Sequence, residues 1–336
     1  MFRTIIPAWS ISVGGRELAC LHEVQVKSSH RYESDRCTLR VPRTPELDTL
    51  LPGDQVVVGL GNGEIGVRFV FYGIVEEVGR DGVIGTITAR DRLEDLKGVA
   101  FTGGWKEGDS LLVACGEVLL AAGLAGVGFD PWNETLPKDV TAKDADSWDL
   151  LRRLLDFHGW ECWGLPGEGS IYYGPPLPYQ IGESWLIQEE AYAFDLRSVE
   201  VFDAKIERKT TPLYQSCTVY IYDGEFNGEE TVVGGAVWTP TGAEAGVGGL
   251  APVLIIRQAG KPDIEEANNK AVEALDDANF DRVSGTIEAP LNPFIHHSQR
   301  VRIDDTTGNE LVPVTAITYR LSATDGSMME LQIAGK

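Results

Sequence analysis

Five histidines, five cysteines and 51 acidic residues are the groups with which this 336-residue chain would do chemistry. Their spacing decides how much it can do. In SWDLLRRLLDFHGWECWGLPGEGSIYYG (147–174), His158 and Cys162 stand four residues apart, beside carboxylates and three tryptophans. On one continuous helix that spacing would offer two zinc ligands on one face, but zinc takes three or four. Gly159 follows His158 directly and suits the left-handed residue that ends a helix, which moves Cys162 onto a following strand. A histidine in the last turn is also favoured by the helix dipole. The stretch reads as helix end, cap and buried strand rather than a metal centre.

Other candidates fail similar tests. Gly61, Gly63 and Gly66 in GLGNGEIG satisfy G-x-G-x-x-G. The dinucleotide fingerprint, however, needs its glycines to open a helix, and VRFVFYGIV follows, which is a strand. His296 and His297 in NPFIHHSQRVRI are adjacent. On a strand they point to opposite faces and share no ion; a turn or loop would change that, and they read as histidines facing solvent or an interface. IDDTTGNE (303–310) offers Asp304, Asp305, Asn309 and Glu310 as calcium ligands, yet it lacks EF-hand spacing and reads as a hairpin turn. The paired acids Glu76/Glu77 and Glu189/Glu190 diverge if they lie on strands, which does not favour two-carboxylate glycoside hydrolysis. G-x-S-x-G, H-E-x-x-H, P-loop and kinase signatures are absent. No catalytic residue, cofactor or metal is assigned, and the chain reads as non-enzymatic.

The elements are mostly strands. Thirty-eight glycines fall between short apolar runs, as expected of many tight turns. Residues 1–95 alternate like a five- or six-stranded barrel or sandwich, with Asp81-Gly82 as a hairpin dipeptide. Residues 96–197 predict a small α+β domain of two helices and a hairpin. One helix starts at Asp109 or Ser110 and ends at Gly123; the other is capped by Asp146 or Ser147, with Trp148, Leu151, Leu154, Leu155 and Phe157 at helical spacing. The Pro-rich YGPPLPYQIGESW then reads as an extended connector. Residues 198–336 return to strands, interrupted by a helix over about 262–280 and an exposed Gly-rich loop or long hairpin over about 223–250.

The two β regions resemble each other. VQVKSSHRYESDRCTLRV (24–41) aligns without gaps on AKIERKTTPLYQSCTVYI (204–221), with Cys37 and Cys217 in register. Further on, DQVVV…FVFYGIVEEVGRDGVIGTITARD matches the pattern of QRVRIDD…LVPVTAITYRLSATDGSMMELQIAG. Two matches in the same order predict a duplicated β-barrel, giving a mainly β fold class with an α+β insertion.

Bulk charge excludes some roles. The formal net charge is −22, with 29 Lys plus Arg, so neutralisation of nucleic-acid phosphate is not what this chain is built for. Acidity of this kind serves solubility. The cysteines at 20, 37, 115, 162 and 217 are odd in number and form no C-x-x-C, as expected of reduced thiols in a reducing compartment. No signal peptide or membrane-length apolar run is evident, so a soluble protein made in the cytoplasm is expected.

The duplicated barrels, the G-D-S-L and SWDLLRRLLDFHGWE segments, and the terminal NPFIHHSQRVRI…VTAITYRLSATDGSMMELQIA together carry a resemblance. Over essentially its whole length the chain resembles the baseplate hub (tail-tip, late-control-protein-D-like) family of phage tails, contractile injection systems and type VI secretion spikes. It departs at NPFIHHSQ, where relatives usually carry Pro-Gly before the strand. The resemblance implies a homotrimer in which six similar barrels meet a sixfold tail tube on one face and a threefold spike on the other. Implied partners are the tail tube protein and a separate central spike protein, with the tape-measure protein as a further candidate. The end at Lys336 leaves room for neither a fused enzyme nor a needle. The implied location is the virion tail baseplate, assembled in the host cytoplasm, without membrane or specific nucleic-acid binding. DNA would pass a channel whose acidic wall repels it. The alternative is a carbohydrate-binding or glycan-degrading β-rich protein, in which Trp160, Trp163 and Trp185 would line a groove.

Overall fold

The structure is a computed structural model. It describes residues 7–29, 33–45, 47–63, 66–80, 82–130, 132–175, 180–181, 185–186, 192–196, 201–208, 216–222, 231–237, 253–259, 268, 271, 283–297, 299–304, 309–324 and 326–335. The chain is mainly β, with large antiparallel sheets, and divides into two compact units: 1–204 with 286–332, and 205–285 with 333–336.

In the first unit the strands begin with β1 (Pro7–Val13), β2 (Arg16–Glu17), β3 (Glu23–Ser29), β4 (Arg36–Pro42), β5 (Gln55–Asn62), β6 (Gly66–Gly79) and β7 (Ile84–Arg90). Their burial follows their sequence. RCTLRVP and IGTITAR bury every second residue, so one face meets the core and the other does not. Val24, Val26, Leu39, Val56, Val58 and Ile87 are fully buried. Strand β6 is long and irregular in register, shifting between Val58 and Gly59 against β5 and between Val75 and Glu77 against β7. Each such bulge bends a strand and increases its twist.

Gly61 shows what the glycine triplet is for. A Cβ built on it would lie 1.7 Å from the Gly66 carbonyl oxygen, so the arms of the β5–β6 hairpin meet closer than any side chain permits. The residues after Gly66 are strand, as the sequence predicts. We expect Gly61→Ala to force the hairpin tip apart and cost about 1–3 kcal/mol, the usual range for overpacking, read as a lower urea midpoint at unchanged slope.

The α+β region holds β8 (Ala100–Trp105), α1 (Leu111–Ala121), β9 (Gly126–Gly128), β10 (Val140–Asp146), α2 (Ser147–Asp156), β11 (Glu161–Gly164) and β12 (Ile171–Gly174). Ser110 caps α1 by accepting from Val113 N, and Asp146 caps α2 by accepting from Trp148 N and Asp149 N. Gly159, at φ +64°, is the left-handed residue past α2. Leu111, Cys115 and Leu119 of α1 pack with Leu151, Leu154 and Leu155 of α2 in a core closed by Trp160 and Cys162.

The unit continues with β13 (Gln180–Ile181), β14 (Trp185–Leu186) and β15 (Tyr192–Asp195). The first two pair with each other inside the stretch expected to be an extended connector. Strand β16 (Asp203–Arg208) leads into the second unit, which contains β17 (Ser216–Tyr222), β18 (Thr231–Val237) and β19 (Val253–Ala259). Here β17 is central, antiparallel to β18 and parallel to β19. Part of the Gly-rich stretch is therefore a hairpin arm. Of the helix expected over 262–280, Asn268 and Ala271 are described, and both are helical.

Strand β20 (Val283–Pro290) returns to the first unit, followed by β21 (Arg300–Asp304), β22 (Asn309–Ser322) and β23 (Gly326–Gly335). The main sheet there runs β23–β22–β3–β4–β7–β6–β5–β1–β2. Its least local joint is β22 against β3, with Ala316 opposite Ser29 and Ser322 opposite Glu23. Among the described residues no helix is long and apolar enough to cross a membrane.

Candidate functional site

Arg36 opposes Arg90 at the end of the β4–β7 pair. Asp35 and Asp91 are therefore the next residues outward, and they are joined twice. Asp91 N donates to the Asp35 carbonyl at 3.0 Å, and Asp35 N donates to Asp91 Oδ2 at 3.1 Å. Asp91 Oδ1 accepts from Ser34 Oγ at 2.6 Å and from Leu93 N at 3.1 Å, which also caps the 3-10 turn Arg92–Leu96. Asp35 Oδ1 accepts from Ser29 N at 3.2 Å, and its Oδ2 lies 2.9 Å from Ser28 Oγ. Ser28 Oγ in turn lies 2.8 Å from His297 Nδ1. Ser28, Asp35 and His297 are 1%, 3% and 1% exposed.

The histidine arrives on the turn between β20 and β21. Phe294 N donates to Asn292 Oδ1, His296 N donates to Gln299 Oε1 at 2.9 Å, and the Tyr319 hydroxyl of β22 donates to the Ile295 carbonyl. His296 Nδ1 faces the His297 carbonyl at 2.8 Å; a carbonyl only accepts, so His296 carries its hydrogen on Nδ1. The His296 and His297 rings lie 3.8 Å apart, and the edge of one meets Trp163 of β11, whose centroid is 5.3 Å from that of His297. At the surface of the turn Phe294 is partly exposed under the Arg68 guanidinium, 4.8 Å from its ring centre.

Burial sets the electrostatics. It pushes Asp35 well above the usual carboxylate range, and the Asp91 charge adds to the rise, against hydrogen bonds from Ser28 and Ser29. Burial also raises Asp91 to about 6, opposed by its bonds from Ser34, Asp35 N and Leu93 N. His296 is lowered to about 4 by burial, with Arg68 acting in the same direction. A neutral carboxylic acid can donate a hydrogen bond, and Asp35 is placed to do so.

The residue types are those of a hydrolytic triad, but their order is not. A triad places histidine between nucleophile and acid; here serine stands between acid and histidine, and its hydroxyl is buried. The arrangement can hold a proton and tie four chain segments together. It has no exposed nucleophile.

The other sequence candidates separate. His158 turns back from the end of α2, with Nδ1 3.0 Å from Glu134 Oε2 and Nε2 2.8 Å from the Thr135 carbonyl. Cys162 is buried beside Cys115, and burial pushes both thiols up. Glu76 pairs with Arg36 at the surface. Asp305 and Glu189/Glu190 lie outside the described residues, as does the Trp185 side chain. Trp160 and Trp163 are 1% and 3% exposed, so neither is free to line a sugar-binding groove. Among the described residues no group of three or more His, Cys, Asp or Glu is placed to hold a metal ion. Sequence reasoning read His296 and His297 as facing solvent or an interface, whereas His297 is buried in the turn, and it missed Ser28, Ser34, Asp35 and Asp91. Its one available signal was Asp91 as a cap before RLEDL.

No protein-family model and no curated protein sequence matches the chain. Solved structures do. The tail protein from Neisseria meningitidis MC58 superposes with a TM-score of 0.70 at 16% identity, covering 98% of this chain and 97% of that one. The 43 kDa tail protein of prophage MuSo2 from Shewanella oneidensis gives 0.71 at 14%, covering 97% and 98%. An E. coli component of the type VI secretion system, described as similar to T4 tail proteins gp27 and gp5, gives 0.59 at 8%, covering 97% and 76%. At these identities the shared property is the fold. It is a fold of phage tail and secretion-spike proteins, the one that the resemblance to the baseplate hub family implies.

Proposed function

We propose that the chain is a structural, non-enzymatic hub of a phage tail or a related injection machine. Three copies form a ring of six similar barrels that joins the tail tube to a separate central spike. The observation that carries this reading is end-to-end coverage: the fold matches tail proteins over nearly the whole of both chains.

The spacing of the strands supports the duplication behind the ring. One offset of 180 residues carries the start of β3, Glu23, onto Asp203 at the start of β16, and the start of β4, Arg36, onto Ser216 at the start of β17. Strands β6 and β22 are each 14 residues long, and each follows a shorter antiparallel partner. Two barrels per chain would let a threefold assembly present six similar units, the geometry a sixfold tube requires. Such an interface is expected to be large and obligate.

The test is the solution mass by light scattering across a concentration series. A particle near three times 36.6 kDa, with ring-shaped images by electron microscopy, is the expected result. A monomer at every concentration that also fails to trimerise on purified tail tube would overturn the reading.

A further inference from the structure

Ser28 Oγ has one hydrogen and two neighbours, Asp35 Oδ2 at 2.9 Å and His297 Nδ1 at 2.8 Å. Two complete arrangements exist. With Asp35 as the acid, its Oδ2–H donates to Ser28 Oγ, Ser28 donates to His297 Nδ1, and His297 keeps its hydrogen on Nε2. With Asp35 ionised, Ser28 donates to Asp35 and His297 Nδ1–H donates to Ser28, leaving Nε2 bare. The two differ by one proton, released to solvent, and by the direction of every hydrogen bond in the chain. We propose that Asp35, Ser28 and His297 form a one-proton latch. In both forms it ties the turn Leu291–His297 to the end of β3; in the ionised form it does so with every bond reversed and with Asp35 charged against Asp91, which lowers stability.

The geometry explains why ionisation costs stability. An ionised Asp35 would face Asp91, to which it is bonded through both backbone and side chain. The groups around the pair offer little relief. Asp91 and Glu94 bring negative charge from the end of β7 and the 3-10 turn, while Tyr319 of β22 and Cys162 of β11 are buried and neutral. Of the cations nearby, Arg68 of β6 sits over Phe294, Arg36 bridges Glu76 and Glu94, and Arg90 pairs with Asp95 and donates to the Asp91 carbonyl at 3.3 Å. His296 is held neutral on the same turn. Two buried carboxylates this close do not both ionise without the surrounding segments moving.

The sign follows from the shifts. The carboxyl of Asp35 is raised on folding, so its contribution to stability is complete below the unfolded value and is lost as pH rises through the folded one. The shift of His296 is opposite. Its contribution is complete above 6.5 and lost as pH falls toward about 4. The two dependences therefore run in opposite directions along the pH scale.

The test is NMR of the intact protein labelled with 15N at its five histidines, whose ring shifts distinguish the two tautomers. In the wild type we expect His297 to carry its hydrogen on Nε2 while Asp35 is the acid and to move it to Nδ1 as pH rises and Asp35 ionises. The melting temperature should fall over the same interval. Asp35→Asn reproduces the acid form: its amide donates to Ser28 and its carbonyl accepts from Ser29 N. It should lock the Nε2–H tautomer at every pH and abolish the alkaline fall in melting temperature. The proposal is overturned if wild-type His297 keeps one tautomer throughout, or if Asp35→Asn folds and still switches. The wild-type titration decides by itself should Asp35→Asn fail to fold.

Discussion

Asp91→Ala is expected to destabilise the chain by roughly 3–5 kcal/mol at pH 5, by far more than a surface aspartate would. The substitution strands two buried donors, Asp35 N and Leu93 N, each worth about 1–3 kcal/mol, and leaves the half-buried Ser34 Oγ only the Asp35 carbonyl at 3.4 Å. It also uncaps the 3-10 turn Arg92–Leu96. The loss should shrink with rising pH. In the folded wild type Asp91 titrates at about 6 instead of its ordinary 3.8. The wild type therefore holds extra stability below pH 3.8 and gives it up, about 2–3 kcal/mol in all, as pH rises through 6. Alanine has no such dependence, so the two stability curves should converge between pH 5 and pH 8. Urea denaturation of both proteins across that range checks it. Curves that stay parallel would mean that Asp91 is not raised on folding.

Trp160→Ala should cost a similar amount, about 3–5 kcal/mol, for a different reason. Trp160 is 1% exposed and follows the glycine that ends α2, closing a core made by two helices and two small sheets. Removing the indole leaves a cavity that Leu119, Leu151 and Leu155 cannot fill without leaving their own packing. Hydrogen exchange should show the loss concentrated in α1, α2 and the β9–β12–β11 sheet, while amides of β3, β4 and β7 keep their protection. A uniform rise in exchange across the chain would contradict the separate core.

The sequence made the local features readable because they are set by neighbours a few residues apart. Ser110 and Asp146 as caps, Gly159 past α2 and the alternation in RCTLRV are all written within one or two turns of chain. The fate of His158 and Cys162 followed from one glycine. The buried network was not readable in this way. Its members at 28, 35, 91 and 297 come from opposite ends of the sequence, and each looks like an ordinary polar residue beside a strand. The adjacent histidines mark the limit well. A strand would have sent His296 and His297 to opposite faces; a turn held by Asn292 and Gln299 stacks their rings instead. The pairing of β22 with β3 was equally hidden, because an edge strand does not name its partner.

That pairing has a consequence for how the protein is made. Ser29 meets Ala316, about 290 residues further along the chain. At ribosomal speeds of roughly 5–20 residues per second, β3 waits about 15–60 s after its own emergence before its partner exists. During that interval the helical region around Trp160, whose contacts are nearly all local, can fold on the nascent chain, but one side of β3 stays open. Closure of the sheet therefore waits for β22. Until β22 emerges, the nascent chain presents one edge of β3 unpaired.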